Sequence, residues 1–233
     1  MDDKEKKELS EADIRELFIS PAFKNSGWDP MMQVRREVTL TPGPVIVRGN
    51  MSARNKKKKK FADYVLSWQP SIPVAVVEAK DNKHTVSHGL QQALGYADIL
   101  EVPCAFSSNG DAFAAHDKTA PEGADTETEF ELDEFPTPDE LWTKYKQFRN
   151  ITDEDEPLVR QAYHIDTSGK EPRYYQVEAI NRTIEAVAKG KSGRFWSWRQ
   201  APAKPTPRSR SSGGCGRLAM PSASCFLRIE TFW

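Results

Sequence analysis

Two neighbouring stretches decide the fold: Lys60-Phe-Ala-Asp63-Tyr-Val-Leu-Ser-Trp68 and Ile72-Pro-Val-Ala-Val-Val-Glu78-Ala-Lys80. Both are rich in β-branched and aromatic residues and read as strands. The second is an almost unbroken apolar run, which predicts a strand buried on both faces. Its only charges, Glu78 and Lys80, come at its end. Side chains alternate across a strand, so these two, at i and i+2, project to the same side. If the two strands are neighbours, Asp63 reaches the same place, and two carboxylates and an amine converge at the end of a sheet.

Working outward, the same alternation of apolar runs and turn signals extends from about Ser10 to Trp142. Ser10 opens a first helix, with Asp13 as an acidic variant of the capping box. Ile14, Leu17 and Phe18 give it an apolar face, and Pro21 is expected to end or kink it. Strands are expected at Gln33 to Leu40 and, shorter, at Pro44 to Arg48. Val86 to Leu100 reads as a helix. Pro103 to Asn109 returns as a strand, with Ala112 to Ala115 pairing against it. Pro138 to Phe148 is a helix with proline near its start, and Tyr175 to Lys189 is another, stopped by Gly190.

Composition excludes several classes of function. Lys and Arg number 33 against 34 Asp and Glu, a net charge of −1, so any attraction to nucleic acid must be local. Mean hydropathy is −0.67, and no apolar run approaches the ~20 residues of a membrane span. The start, Met-Asp-Asp-Lys-Glu, lacks the apolar stretch of a secretory signal. Cys104, Cys215 and Cys225 have neither disulfide nor zinc spacing, which fits a reducing cytoplasm. His84, His88, His116 and His164 show no ligand spacing; His84 and His88 read as surface residues at a helix start.

Asp63, Glu78 and Lys80 suit hydrolysis of a phosphodiester. Two hard carboxylate oxygens can hold Mg²⁺, and an ammonium can steady the attacking water or the developing charge. A plain ion pair between Glu78 and Lys80 is the alternative reading. Five lysines, Lys56, Lys57, Lys58, Lys59 and Lys60, immediately precede the Asp63 strand. They are either a solvated loop or a sequence-independent phosphate contact.

Asp63 followed by Val-Val-Glu78-Ala-Lys80 resembles the PD-(D/E)xK nuclease superfamily, with Ala62 where the family name has proline. Gln92-Ala-Leu-Gly-Tyr96 is similar to the Q-x-x-x-Y motif of a subset of these nucleases; at i and i+4 both side chains share a helix face. Read alone, the pair is an ordinary half-buried helix face.

Longer stretches resemble the N-terminal region of type I restriction enzyme R subunits. These are Glu11-Ala-Asp-Ile-Arg-Glu-Leu-Phe-Ile with Gly27-Trp28, the two strands above, and Phe106-Ser-Ser-Asn-Gly-Asp111. Glu134-Phe-Pro-Thr-Pro-Asp-Glu-Leu-Trp142 belongs with them. The resemblance implies an α/β nuclease domain over 1–150, with a mixed central sheet flanked by helices. It implies a metal-dependent endonuclease with Asp63, Glu78, Lys80, Gln92 and Tyr96 as its site. An acid on the first helix would complete the metal set, either Glu11 or Glu16. Double-stranded DNA and the modification and specificity subunits are the implied partners. A freestanding repair or resolvase-like nuclease, and a non-catalytic DNA-binding or assembly fragment, are the rival readings.

Residues 151–194 read as a helical connector and the first helix of a superfamily 2 helicase motor. Arg173-Tyr-Tyr-Gln176 resembles the entry to that motor, where Gln176 matches the glutamine that contacts the adenine of ATP. The family continues with a strand and a Gly-Lys-Thr phosphate-binding loop. This chain continues instead with Phe195-Trp-Ser-Trp-Arg-Gln-Ala-Pro-Ala-Lys-Pro-Thr-Pro, and its Pro-, Ser-, Arg- and Gly-rich tail has the composition of a disordered segment. Shifting the frame so that each third base opens a codon permits Leu-Val-Met-Ala-Thr-Gly-Thr-Gly-Lys-Thr from Phe195. The expectation is a chain frameshifted near Arg194, with 195–233 read out of frame and the ATP loop missing.

Overall fold

The structure, a computed structural model, describes residues 3–41, 45–48, 51–54, 60–161 and 174–190. Its centre is a six-stranded mixed sheet. The strands are β1 (Val34–Thr41), β4 (Lys60–Gln69), β5 (Ile72–Ala79), β6 (Cys104–Ser108), β7 (Ala112–Asp117) and β8 (Glu127–Glu131), side by side in that order. A separate hairpin, β2 (Val45–Arg48) and β3 (Met51–Arg54), stands between β1 and β4 in the chain. Neighbours in the large sheet are antiparallel except β5 and β6, which are parallel. A parallel pair needs a crossover, and α4 (Leu90–Leu100) supplies it after a 3-10 turn at Val86–Gly89. The α/β architecture expected from the sequence is the one found. β3 and β8 were not anticipated, because Met-Ser-Ala-Arg and the charge-rich Glu-Thr-Glu-Phe-Glu lack an apolar run.

Two apolar layers cover the two faces of the sheet, and the period of two in the strands assigns residues to them. Tyr64, Leu66, Val77, Phe106 and Phe113 face one layer, with Ile14, Ile19 and Phe23 of the N-terminal helices and Leu141, Trp142 and Tyr145 of α5 (Pro138–Arg149). Val65, Val76 and Ala105 face the other, against Ala93, Tyr96, Ala97 and Leu100 of α4. Burying each large apolar side chain contributes about 1.5–3 kcal/mol. As its apolar run predicts, β5 is buried on both faces.

After a short α1 (Asp3–Glu8), α2 (Glu11–Ile14) starts on the expected capping box: Asp13 N–H donates to Ser10 Oγ at 3.2 Å, and Ser10 N–H to Asp13 Oδ2 at 3.0 Å. Pro21 does not end this helix. The chain passes through a π-helical segment, Arg15–Ile19, into α3 (Ser20–Asn25), with Pro21 in the first turn of α3. The widened ladder lies just ahead of the proline, in the turn that has to do without its N–H.

Farther on, α6 (Glu156–Val159) leads to α7 (Tyr174–Ala188), which ends before Gly190 at φ +65°. α7 is bound to the rest of the fold by polar contacts. Asn181 Nδ2 donates to the Ser71 carbonyl at 2.7 Å, Tyr145 Oη to Glu185 Oε1 at 3.0 Å, and Arg149 Nη2 to Glu178 Oε1 at 2.8 Å. Among the described residues no helix is long and apolar enough to cross a membrane.

Candidate active site

Glu78 stands at the carboxyl end of β5, where β5 and β6 run parallel and α4 begins. Open α/β sheets present ligand sites at such strand ends. β4 runs antiparallel to β5 in the register Tyr64↔Val77, so Asp63, near the start of β4, meets Glu78 at the end of β5. Asp63 Oδ2 accepts from the Ala79 backbone N–H at 2.9 Å, which ties the two strand ends together. Lys80 Nζ lies 3.0 Å from Glu78 Oε1. From α4, Gln92 Nε2 donates to the same Glu78 oxygen at 2.5 Å and sits 2.9 Å from Tyr96 Oη.

Gly89 makes this approach of α4 possible. A Cβ at this position would stand 2.7 Å from Ser107 Oγ and 3.1 Å from Glu78 Cγ. Its N–H donates to Ser107 Oγ at 3.1 Å. The segment after Lys80 is latched to the β6–β7 turn: Asn82 Nδ2 donates to the Asn109 carbonyl at 3.1 Å, and Asn109 Nδ2 to the His84 carbonyl at 2.9 Å.

The electrostatics are those of carboxylates held close together and largely out of water. Glu78 is 3% exposed. Burial, and then the Asp63 charge, push its carboxyl from 4.5 up to about 8 against the opposing pull of Lys80. Burial also lifts Glu11 above its ordinary value, with Asp63 adding to the rise while Lys80 and Arg15 oppose it. Burial alone would lower the Lys80 ammonium, but its bond to Glu78 and the charges of Glu78, Glu11 and Asp63 outweigh that and raise it. Lys80 therefore stays cationic. Burial likewise raises the Tyr96 phenol.

Glu78 Oε2 is buried and accepts no hydrogen bond; the group Glu78 meets is Asp63, a second carboxylate, and the proton that Glu78 retains bonds the two. Two carboxylates held this close, sharing a proton, fit a hard divalent cation that would displace that proton. Among the described residues, however, no three His, Cys, Asp or Glu side chains are arranged together as a metal-ligand set. The geometry offers Asp63 and Glu78 as a pair, with Glu11 nearby.

No family model matches the chain. The type I restriction enzyme EcoAI endonuclease subunit of Escherichia coli is 49% identical over 184 residues, which is 79% of this chain and 22% of that subunit. A solved fragment assigned as an HsdR subunit of a type I restriction enzyme from Vibrio vulnificus YJ016 superposes with a TM-score of 0.64 at 38% identity. That match covers 78% of this chain and 33% of the other. The chain belongs with the N-terminal portion of type I restriction endonuclease subunits. It spans between about a fifth and a third of the length of these two relatives.

Within this R-subunit portion, Asp63, Glu78, Lys80, Gln92 and Tyr96 converge as the sequence suggested. Of the two first-helix acids, Glu11 is electrostatically coupled to Asp63 and Lys80. Glu16 instead points to Arg36, whose Nη1 lies 2.8 Å from its Oε2. From the lysine run, Lys60 lies with Nζ 5.9 Å from the Tyr96 ring centroid, a cation over an aromatic face at the edge of the site. Lys56, Lys57, Lys58 and Lys59 lie outside the described residues, as do 195–233. Gln176 is exposed on α7. His84 and His88 are surface residues with ring centroids 4.2 Å apart.

Two residues of the site were not singled out from the sequence. Arg15 Nη1 stands 3.5 Å from Asp63 Oδ1 and 3.4 Å from Glu37 Oε1. Arg15 follows Glu11 by one helical turn, a spacing that could have flagged it. Glu37 had no signal at all.

Proposed function

We propose that the chain carries the endonuclease centre of a type I restriction R subunit, hydrolysing phosphodiesters of double-stranded DNA with Mg²⁺. The observation that carries this reading is the pairing of buried Glu78 with Asp63 at the strand ends, with cationic Lys80 beside them. Asp63 and Glu78 would hold the metal, with Glu11 as the third acid. Bound Mg²⁺ supplies a Lewis acid and a water of lowered pKa. Lys80 steadies the negative charge that builds on the phosphate as water adds and the P–O bond breaks. Gln92 fixes Glu78, and Tyr96 sits against Gln92.

In this reading 1–150 form the nuclease domain, 151–194 the connector and first motor helix, and 195–233 an out-of-frame tail. Lys56 to Lys60 would contact DNA phosphates without regard to sequence. Gln176 would face ATP in the intact relative, and modification and specificity subunits would be the partners. The likeness to large R subunits speaks against a freestanding repair nuclease.

Plasmid nicking by the chain in Mg²⁺, alone and with the two partner subunits, tests this. Cleavage is expected with the partners present and should vanish in Asp63→Ala and Lys80→Ala chains that still fold. Cutting alone, at full rate, would favour the freestanding nuclease. No cutting in any combination would leave a non-catalytic assembly fragment.

A further inference from the structure

Three unusual features meet beside Asp63. The first is the guanidinium of Arg15, shared between two carboxylates: Nη1 lies 3.5 Å from Asp63 Oδ1, and both Nη1 and Nη2 lie 3.4 Å from Glu37 Oε1. Asp63 is the more enclosed acceptor, its side chain 16% exposed against 70% for Glu37. The second is the backbone of Glu37. In β1 the register pairs Arg36 with Tyr64 and Val38 with Ala62, which sets Glu37 opposite Asp63. Yet Glu37 stands at φ +52°, in the left-handed region. For a residue with a Cβ this costs about 1–2 kcal/mol and persists only where the surroundings hold it.

The third is the helix that delivers Arg15. Its π-helical segment begins at Arg15, whose carbonyl accepts from the Ser20 N–H and also from Tyr64 Oη at 3.3 Å. Tyr64 is the neighbour of Asp63 in β4. A widened helical turn and a strained strand residue thus place one arginine between an inner and an outer carboxylate.

Resting on the metal-centre reading above, we propose that Arg15 is a removable counter-ion of Asp63, and that Glu37, which already accepts from its guanidinium, retains it when a divalent cation enters. Without metal, Arg15 neutralises Asp63. A cation on Asp63 repels the guanidinium, which gives up its 3.5 Å approach to Asp63 and keeps its hydrogen bonds to Glu37. Glu37 therefore lowers the cost of vacating Asp63. Arg15 and Glu37 are positioning residues: they set how readily Asp63 accepts the metal and contact neither the metal nor DNA in this role.

The test is Ca²⁺ binding to the 233-residue chain by isothermal titration calorimetry, with no DNA and no turnover, beside a melting curve for each variant. Arg15→Gln should tighten Ca²⁺ roughly fivefold, the loss of one half-buried competing ion pair. Arg15→Lys, which restores the charge, should return affinity toward the wild-type value. Glu37→Gln should weaken Ca²⁺ roughly threefold in the wild-type background and change it little when combined with Arg15→Gln, the signature of coupling. Unchanged affinity in folded Arg15→Gln, or a Glu37→Gln effect that persists without Arg15, overturns the counter-ion role and leaves the metal centre standing. If the unsubstituted chain binds no Ca²⁺, or Asp63→Asn binds as well as the unsubstituted chain, the metal-centre reading falls and the counter-ion role falls with it.

Discussion

Replacing Glu78 by glutamine in the metal-free chain should change how its stability depends on pH. The Glu78 carboxyl is lifted from 4.5 to about 8, first by burial and then by Asp63. A carboxyl that holds its proton more tightly folded than unfolded contributes stability that is full below its unfolded pKa. That stability is lost as pH rises through the folded pKa. Between 4.5 and about 8 the native chain carries one proton more than the unfolded one. At about 1.4 kcal/mol per unit, that interval amounts to on the order of 5 kcal/mol. This is a large share of the roughly 5–15 kcal/mol that holds a typical domain folded.

In the Glu78→Gln chain the neutral, isosteric amide would still accept from Lys80 and cannot ionise. Glu78→Gln and the unsubstituted chain should therefore be about equally stable near pH 4.5. The variant should become several kcal/mol more stable above about pH 8. Urea denaturation across this range, with a chelator present, measures it; only the difference between the two chains counts, because every other group titrates in both. A difference that stays flat with pH would refute the argument that burial of ionised Glu78 is a cost the fold carries for its site.

Gly89→Ala should push α4 away from β5, since the new methyl would meet Ser107 Oγ and the Glu78 side chain. A stability loss of about 1–3 kcal/mol is expected, together with weaker Ca²⁺ binding in calorimetry; wild-type affinity would show that Glu78 does not need this close approach. The gene should permit Ala-Thr-Gly-Thr-Gly-Lys-Thr in the frame displaced from the one read at Trp198 to Pro205. Sequencing checks it, and third bases that forbid the motif would end the frameshift reading.

Much of the fold is encoded in short windows. The apolar run of Ile72 to Val77 implies a strand covered on both faces, and the structure buries it so. The Ser10 and Asp13 capping box, the proline at the start of α5 and the glycine after α7 act within one helical turn, so sequence spacing alone locates them. The grouping of Glu78 with Lys80, and of Gln92 with Tyr96, follows from strand and helix periods. Where local rules compete, the sequence is silent or misleading. Pro21 breaks helices in isolation, but here a π-helical segment ahead of it lets packing on the sheet carry the helix through. β8 has three charged residues in five and forms because β7 offers it an edge.

The side-chain chemistry of the site needed the tertiary structure. Asp63 meets Glu78 only because β4 and β5 are neighbours in one register. Glu11, rather than Glu16, is coupled to Asp63 because the orientation of the helix on the sheet turns Glu16 toward Arg36. Arg15 and Glu37 flank Asp63 from a helix and an edge strand whose separation along the chain carries no periodic signal. The raised carboxyl of Glu78 is likewise a property of burial, and burial is set by what the rest of the chain packs against the sheet. Sequence alone determined which groups could do the chemistry. Tertiary structure decided which of them come together, because charge and hydrogen-bond energies depend on distance and solvent exclusion rather than on order along the chain.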